Sequence, residues 1–544
     1  MKTIGIHTTF LSEGHRRLFD ALGELFNVYF EKRLFGDGKE VDCWLFINAG
    51  QVDLDRIAQS NRTCFTVISE NELVACGESP VISFSKHLSI DSKIRGRQIK
   101  TNEAIRVKSL PQWIQNGTMI ASKEDAPIWM VLKKYGYNHH YVSTPIPELN
   151  DEGHLFQYFQ GKQFLQLLPL LLFLRALTED QRWEPPPLQA CFMIDDPNLH
   201  WPTYGYINFR KMAEHARIHN YHMSFATVPI DSWFVHKPTA ALFRQYHDQL
   251  SLLMHGNDHI THELFRPYSN KERNRFLRQS LERIERLERL SGVEVSRVNA
   301  PPHGKCSPSV IREMAEVGFE AACIPRGALR RLDGQQAQFH ILGMRPVDTI
   351  EGLTVFSRFP LSGSCHNNIL LAALLDQPII PVGHHQDVAE GLQVLGELSK
   401  FINSLGSVNW VDMKRISRSH FAQKIDGRIL HLRMLTKHIE FFIPDGITQI
   451  CIERPWLEDR VSESLAWRIS GESKKWKPQI EIDPITVLPG QRIEIVSNVT
   501  RHFVIYSKNN SRISIWPMVR RLLAEGRDRV APVFRWNFEK DSQR

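Results

Sequence analysis

Between residues 190 and about 415, short apolar runs alternate with helix-patterned stretches, and that alternation restricts this part of the chain to a parallel α/β architecture. The strand-like runs are ACFMI (190–194), MSFATVPI (223–230), LLM (252–254), AACIP (321–325) and PIIPV (378–382). Between them, KERNRFLRQSLERIERLERL (271–290) predicts an amphipathic helix, with Phe276, Leu277, Leu281, Ile284, Leu287 and Leu290 as its apolar stripe. Strands and helices alternating over this length point to an α/β barrel, complete or partial.

Other patterns flank this segment. In the first 150 residues, TIGIH (3–7), CWLFI (43–47) and CFTVI (64–68) read as strands and HRRLFDALGELF (15–26) as a helix. A parallel, Rossmann-like domain is expected there. No GxGxxG follows a strand, so nothing points to a dinucleotide. Phe156, Phe159, Phe164, Leu165, Leu168 and Leu172 predict a helix over 155–178, kinked or split by Pro169. The prolines of WEPPPLQ (183–189) end it and mark a boundary. After 425, HIEFFI (438–443), ITQICIE (447–453), QIEIDPITVLPGQRIEIVSN (479–498) and HFVIYS (502–507) are rich in β-branched residues, and LPGQ reads as a turn. The expected organisation is a Rossmann-like domain at 1–150, a helix and Pro-rich linker at 151–188, a barrel at 189–420, and a β-rich accessory module with a basic end, in sandwich form, at 425–544.

The 544 residues carry a formal charge of +7, too little for their number to suggest a nucleic-acid partner. The excess is uneven: residues 501–544 hold ten Lys/Arg against four Asp/Glu. Such a segment reads first as a solvated basic face, with peripheral contact to an acidic membrane surface as the functional alternative. Trp516, Phe534, Trp536 and Phe538 among these charges imply that part of it folds. The eight cysteines, Cys43, Cys64, Cys76, Cys191, Cys306, Cys323, Cys365 and Cys451, form no CxxC pair and sit mostly in apolar stretches, as in a reducing compartment. The N-terminus shows no apolar signal-peptide core, and the most apolar run, 167–177, is too short to span a bilayer. A cytoplasmic protein is expected. Oligomeric state is not legible.

Four clusters carry the chemistry. FMIDDPN places Asp195 and Asp196 at a strand end, LLMHGNDH places His255 and His259 after another, NAPPHGK spans Asn299 to Lys305, and PVGHHQD places His384 and His385 after a late strand. Adjacent carboxylates repel, and a cation relieves that cost. One of the pair can bind a metal while the other stays free as a base. Two histidines at i, i+4 face one way on a helical turn and can share one metal. An Asp with two His leaves open positions, as a catalytic divalent site needs. In an α/β barrel all strand C-termini open on one face, so these groups converge.

These residues resemble the polysaccharide deacetylase superfamily (the NodB-homology domain, carbohydrate esterase family 4). The resemblance lies in Asp195-Asp196, His255…His259, the Ala300-Pro301-Pro302-His303-Gly304 loop and the late His384 or His385, and covers about 200 of the 544 residues. It implies that Asp196, His255 and His259 hold a divalent metal, usually zinc. It makes Asp195 the general base, and His384, or else His385, the acid that protonates the leaving amine. A backbone N–H near the third motif would help stabilise the oxyanion. The implied substrate is an N-acetylated sugar, glycan or glycan-biosynthesis intermediate. Candidate substrate contacts are Asn198, Trp201 and Tyr204 after the Asp pair, with His200 beside them, and Pro302 and His303 in the third motif.

Two departures from the family pattern stand out. Ala300 replaces the Arg that orients the base, leaving Lys305 or Arg266 as substitutes, and Pro197-Asn198 replaces the usual Gly. No fourth motif with an acidic residue and Trp is evident. Asn257, Asp258 and Asp387 are candidates to orient the histidines. Two alternatives stand beside the deacetylase: a non-catalytic glycan-binding protein on a degenerate barrel, and a hydrolase of a non-sugar amide or a glycoside.

Overall fold

The computed structural model describes the chain except residues 37–39, 58, 75–78, 89, 106–107, 115, 160–163, 180–182, 330–338, 456–463, 471–474, 480–483, 498–514 and 543–544. The chain divides into two units, Met1–Arg182 with Gly334–Arg345, and Trp183–Asp333 with Pro346–Arg544.

The first unit is built on a nine-stranded sheet. Its first half is parallel, in the order Val28–Lys32, Lys2–His7, Cys43–Ala49, Thr63–Ile68, Tyr137–Val142. Ser12 caps the helix Glu13–Phe26 by accepting from the His15 N–H, and Asn27 ends it in the left-handed conformation. The second half is antiparallel, a difference from the expected all-parallel sheet. The cause is local. Thr118–Lys123, Ala126–Lys134 and Tyr137–Val142 are joined by two-residue turns, and Tyr135 and Gly136 both have positive φ. Such turns make hairpins and leave no length for a crossover helix. Phe164–Leu177 runs as one helix through Pro169, with Leu167, Leu168, Leu170, Leu171 and Leu174 buried along it.

The second unit holds the barrel. Seven strands close into a ring: β1 Phe192–Asp195, β2 Met223–Thr227, β3 Leu250–Met254, β4 Val295–Asn299, β5 Ala321–Pro325, β6 Leu353–Pro360 and β7 Pro381–Gly383. Every neighbouring pair is parallel, and the ring is completed by β5 on β6 and β7 on β1. The sequence reading missed β4 and β6. The helix Asn270–Ser291 begins with a Ser269/Glu272 capping box and buries Leu277, Leu281, Ile284 and Leu287. Leu290, expected in that stripe, is exposed in the last turn. Met193, Ala226, Leu253, Val298, Ala300, Ala321, Cys323 and Phe356 fill the barrel, with Met413 and Ile416 in the same core.

Past the barrel, two four-stranded sheets share one apolar core that includes Leu430, Leu432, Ile450, Ile439, Ile493 and Ile495. The strand expected at 502–507 lies outside the described residues. The basic end of the chain is a helix, Ile515–Ser542, rather than part of a β-module. Among the described residues no helix is long and apolar enough to cross a membrane. The described cysteines are free, and Cys76 lies outside the described residues.

Candidate active site

Strand periodicity builds the site. Side chains two apart on a strand share a face. Met193, Leu253, Val298 and Phe356 fill the interior, so Asp195, His255, Ala300 and Arg358, each two residues on, continue those inward files to the barrel mouth. Asp196 follows with φ 86° and its N–H donating to the Ala226 carbonyl.

Asp196, His255 and His259 come together. One oxygen and two ring nitrogens lie within 4.8 Å of one another, the one such group of three found among the described residues. His259 Nε2 is 3.1 Å and His255 Nε2 3.8 Å from Asp196 Oδ1. His255 Nδ1 lies 2.7 Å from the Ala300 carbonyl and donates to it, which leaves the Nε2 lone pair facing the carboxylate. Asp196 Oδ1 is buried and accepts no hydrogen bond. A buried carboxylate oxygen without a donor, facing two imidazole nitrogens, fits a divalent cation of the zinc type. Burial works against ionisation of Asp196, but His259, His255, Arg521 and His384 outweigh it and hold the carboxyl well below its usual range. Burial pushes the His259 ring down to about 3, keeping it neutral as a ligand must be.

The loop between the two histidines is held by Glu263, which sequence reasoning missed. Its buried carboxylate accepts the N–H groups of Asn257 (2.7 Å), Asp258 (3.0 Å) and Ile260 (3.3 Å). Burial raises its pKa to about 7. Gly256 is required there: its φ is +63°, and a Cβ would lie 1.7 Å from Glu263 Oε1. The Asn257 and Asp258 side chains accept from Arg283 Nη1, each at 2.6 Å, and so anchor the loop instead of touching the ligand rings.

Asp195 is paired with Arg358. Arg358 Nη1 is 3.0 Å from both carboxylate oxygens, and Nη2 donates to the Pro301 carbonyl at 3.2 Å. Both side chains are buried. This corrects the expected substitutes for the missing third-motif Arg. Lys305 Nζ lies 3.0 Å from His262 Nε2, and Arg266 donates to the Thr261 carbonyl. The guanidinium that contacts Asp195 comes instead from β6, across the barrel, while the methyl of Ala300 is buried in the core at the end of β4. A lone Arg in the apolar run LTVFSRFP was the available signal.

The two late histidines part company. His384 is exposed, its N–H donates to the Asp387 carboxylate at 2.8 Å, and its charge is felt at Asp196. His385 is buried against the rings of Tyr204 and Tyr206, with Nε2 3.8 Å from Asp528. Of the expected substrate contacts, Trp201 is exposed at the mouth. His303 has φ 58° and places its ring 5.3 Å from that of His259, beside the buried Pro302. Asn198 is buried and donates to Asp231 at 3.1 Å. Tyr204 is buried and donates to Asp528 at 3.2 Å. Cys306 is buried, which pushes its thiol pKa far up and leaves no thiolate nucleophile.

Asp528 belongs to an element whose role no motif announced. The helix Ile515–Ser542 lies over the mouth. Arg521, itself buried, donates from Nε to both oxygens of Asp231 (3.2 and 3.0 Å) and from Nη2 to the Asp196 carbonyl (2.6 Å). Its Nη1 lies 3.5 Å from Asp196 Oδ1. Arg520 donates to the His259 carbonyl (3.0 Å) and Arg529 to that of Thr203 (2.9 Å). Glu525 lies 3.1 Å from His200 Nδ1, whose Nε2 faces the Asp231 carbonyl at 2.9 Å. Burial disfavours a charged His200, but Glu525 and Asp231 outweigh it and raise its pKa.

No family model matches the chain, and no curated protein matches it. Solved structures similar to part of it include a protein of Mycobacterium smegmatis assigned as a polysaccharide deacetylase (14% identity, TM-score 0.31, covering 43% of this chain and 91% of that one). The peptidoglycan deacetylase PdaC of Bacillus subtilis is similar at 12% identity and TM-score 0.24, covering 43% and 91%. An exo-type maltose-forming amylase of Pyrococcus sp. ST04 is similar at 9% identity and TM-score 0.29, covering 42% and 48%. Likeness at this level leaves the site to be read from its own geometry.

Proposed function

We propose that the chain is a metal-dependent hydrolase that removes N-acetyl groups from a sugar, a glycan or a glycan-biosynthesis intermediate. The observation that carries this reading is the pairing of unequal neighbours at one barrel mouth. Asp196 faces two imidazole nitrogens, while Asp195 is locked by Arg358 beside them. Asp196, His255 and His259 would hold a divalent cation, zinc by the donor set, which would supply Lewis-acid chemistry at the acetamide. Asp195 takes the proton from the attacking water as its oxygen bonds to the carbonyl carbon. Arg358 holds the carboxylate by both oxygens and aims it. His384 gives a proton to the amine nitrogen as the C–N bond breaks, releasing acetate and a free amino sugar. Trp201 and His303 line the approach, and ring stacking on Trp201 suits a sugar face.

The closed mouth favours a second reading, a binding protein that does not turn over. Metal content separates the two when measured beside acetate release from N-acetylglucosamine oligomers. The active reading expects about one zinc per chain, lost in His255→Ala/His259→Ala, and release that disappears in Asp195→Asn. Zinc bound without any Asp195-dependent release leaves the binding reading.

A further inference from the structure

A buried guanidinium beside a carboxylate that is to hold a dication is an electrostatic conflict. Arg521 puts one charge 3.5 Å from Asp196 Oδ1, the oxygen that faces both histidines. A cation on that oxygen would be repelled by Arg521 in a water-poor setting where screening is weak. Arg521 is not there by accident of a mobile surface chain. It is 6% exposed, bound by both oxygens of Asp231 and by the Asp196 carbonyl. The rest of the helix repeats the theme. Arg520, Glu525, Asp528 and Arg529 bind His259, His200, Tyr204 and Thr203, all around the mouth where a sugar chain has to enter. The outward side of the same helix carries Trp516, Val519, Leu523 and Val530, all exposed, so the contacts described above come from its polar side.

We propose that the helix Ile515–Ser542 is a self-inhibitory roof, in which Arg521 competes with the cation for Asp196 and the helix must leave the mouth before metal and glycan are both held. The proposal rests on the metal reading above. It also makes the two events reciprocal: whatever the roof costs in cation affinity, the cation must cost in roof closure.

The test uses the full-length chain and zinc alone as the probe, with affinity measured by competition against a chromogenic chelator. Arg521→Ala is expected to bind zinc about tenfold more tightly than wild type or better, a size typical of changing one group next to a metal ligand. In wild type, zinc is expected to speed tryptic cleavage after Arg520, Arg521, Arg527 and Arg529, and to have no such effect in His255→Ala/His259→Ala. Zinc that binds Arg521→Ala no better than wild type, or that slows cleavage of the helix, overturns the roof and makes Arg521 a support of the site. Zinc binding to neither protein overturns the metal site itself, and the roof with it.

Discussion

Asp195 and Asp196 are consecutive residues, each with an arginine, and the two arginines come from different kinds of element. Arg358 belongs to β6, one of the seven staves of the barrel, and reaches Asp195 inside the wall that holds both. Arg521 belongs to a helix beyond the accessory sheets, and reaches Asp196 from outside the ring. The first pair cannot open without opening the barrel. The second can open by moving one helix. On the function proposed above, the two ion pairs would serve opposite ends: one would fix a base, the other would guard a metal ligand.

The comparison breaks most easily at Arg358. Arg358→Ala leaves Asp195 buried and uncompensated, a change that costs about 3–5 kcal/mol. Chemical denaturation should show that loss, together with loss of acetate release. A drop under 1 kcal/mol would mean the pair is not part of the wall. Asp195→Asn keeps the shape and should lower turnover by about 10²–10⁴ while zinc content stays at wild type, as expected for removal of a general base. Equal loss of zinc would instead place Asp195 among the ligands. Smaller effects are expected on the roof side, where Arg521→Ala changes zinc affinity and leaves the denaturation midpoint nearer wild type than Arg358→Ala does.

The smallest effect is a pH dependence of the roof's second fastening. Burial raises the pKa of Glu525, but His200 and Arg529 outweigh it and lower it to about 2. A depressed carboxyl stabilises the closed helix above its unfolded value near 4.5, and that stabilisation is lost as pH falls from there toward 2. His200 has the opposite sign: its raised pKa means its contribution is present at low pH and is lost as pH rises through the folded value. Trp516 lies on this helix, so its fluorescence should report loosening at both ends. A profile unchanged in Glu525→Gln would remove Glu525 from the roof.

What was legible in the sequence follows the same division. The clusters at the ends of β1 and β3 were visible because apolar runs stop abruptly at Asp195-Asp196 and His255. Their convergence followed from barrel geometry alone. Arg358 was not found because β6 carries no turn or motif at its end, and a family pattern pointed to the wrong strand. Glu263 was missed because it acts on backbone N–H groups, which leave no residue-type signature. The roof was illegible for a different reason. Its charges read as a solvated basic face, and only the fold shows that Arg521, Glu525 and Asp528 turn inward to the barrel mouth. In the first unit, the hairpins at 124–125 and 135–136 lack the Asn-Gly signal that marks such turns.

The division of the chain has a consequence in the order of synthesis. The first unit ends at Arg182 but takes back Gly334–Arg345, and within it His340 Nδ1 lies 2.8 Å from the Gly153 carbonyl. A ribosome adding about 5–20 residues per second reaches that piece roughly eight to thirty seconds after finishing the rest of the unit. For that interval the N-terminal sheet waits on the ribosome without its last segment, while β1 to β5 emerge. The unit that is first in sequence therefore cannot be completed until most of the barrel strands have been made, and a nascent chain halted before residue 334 would hold neither unit whole.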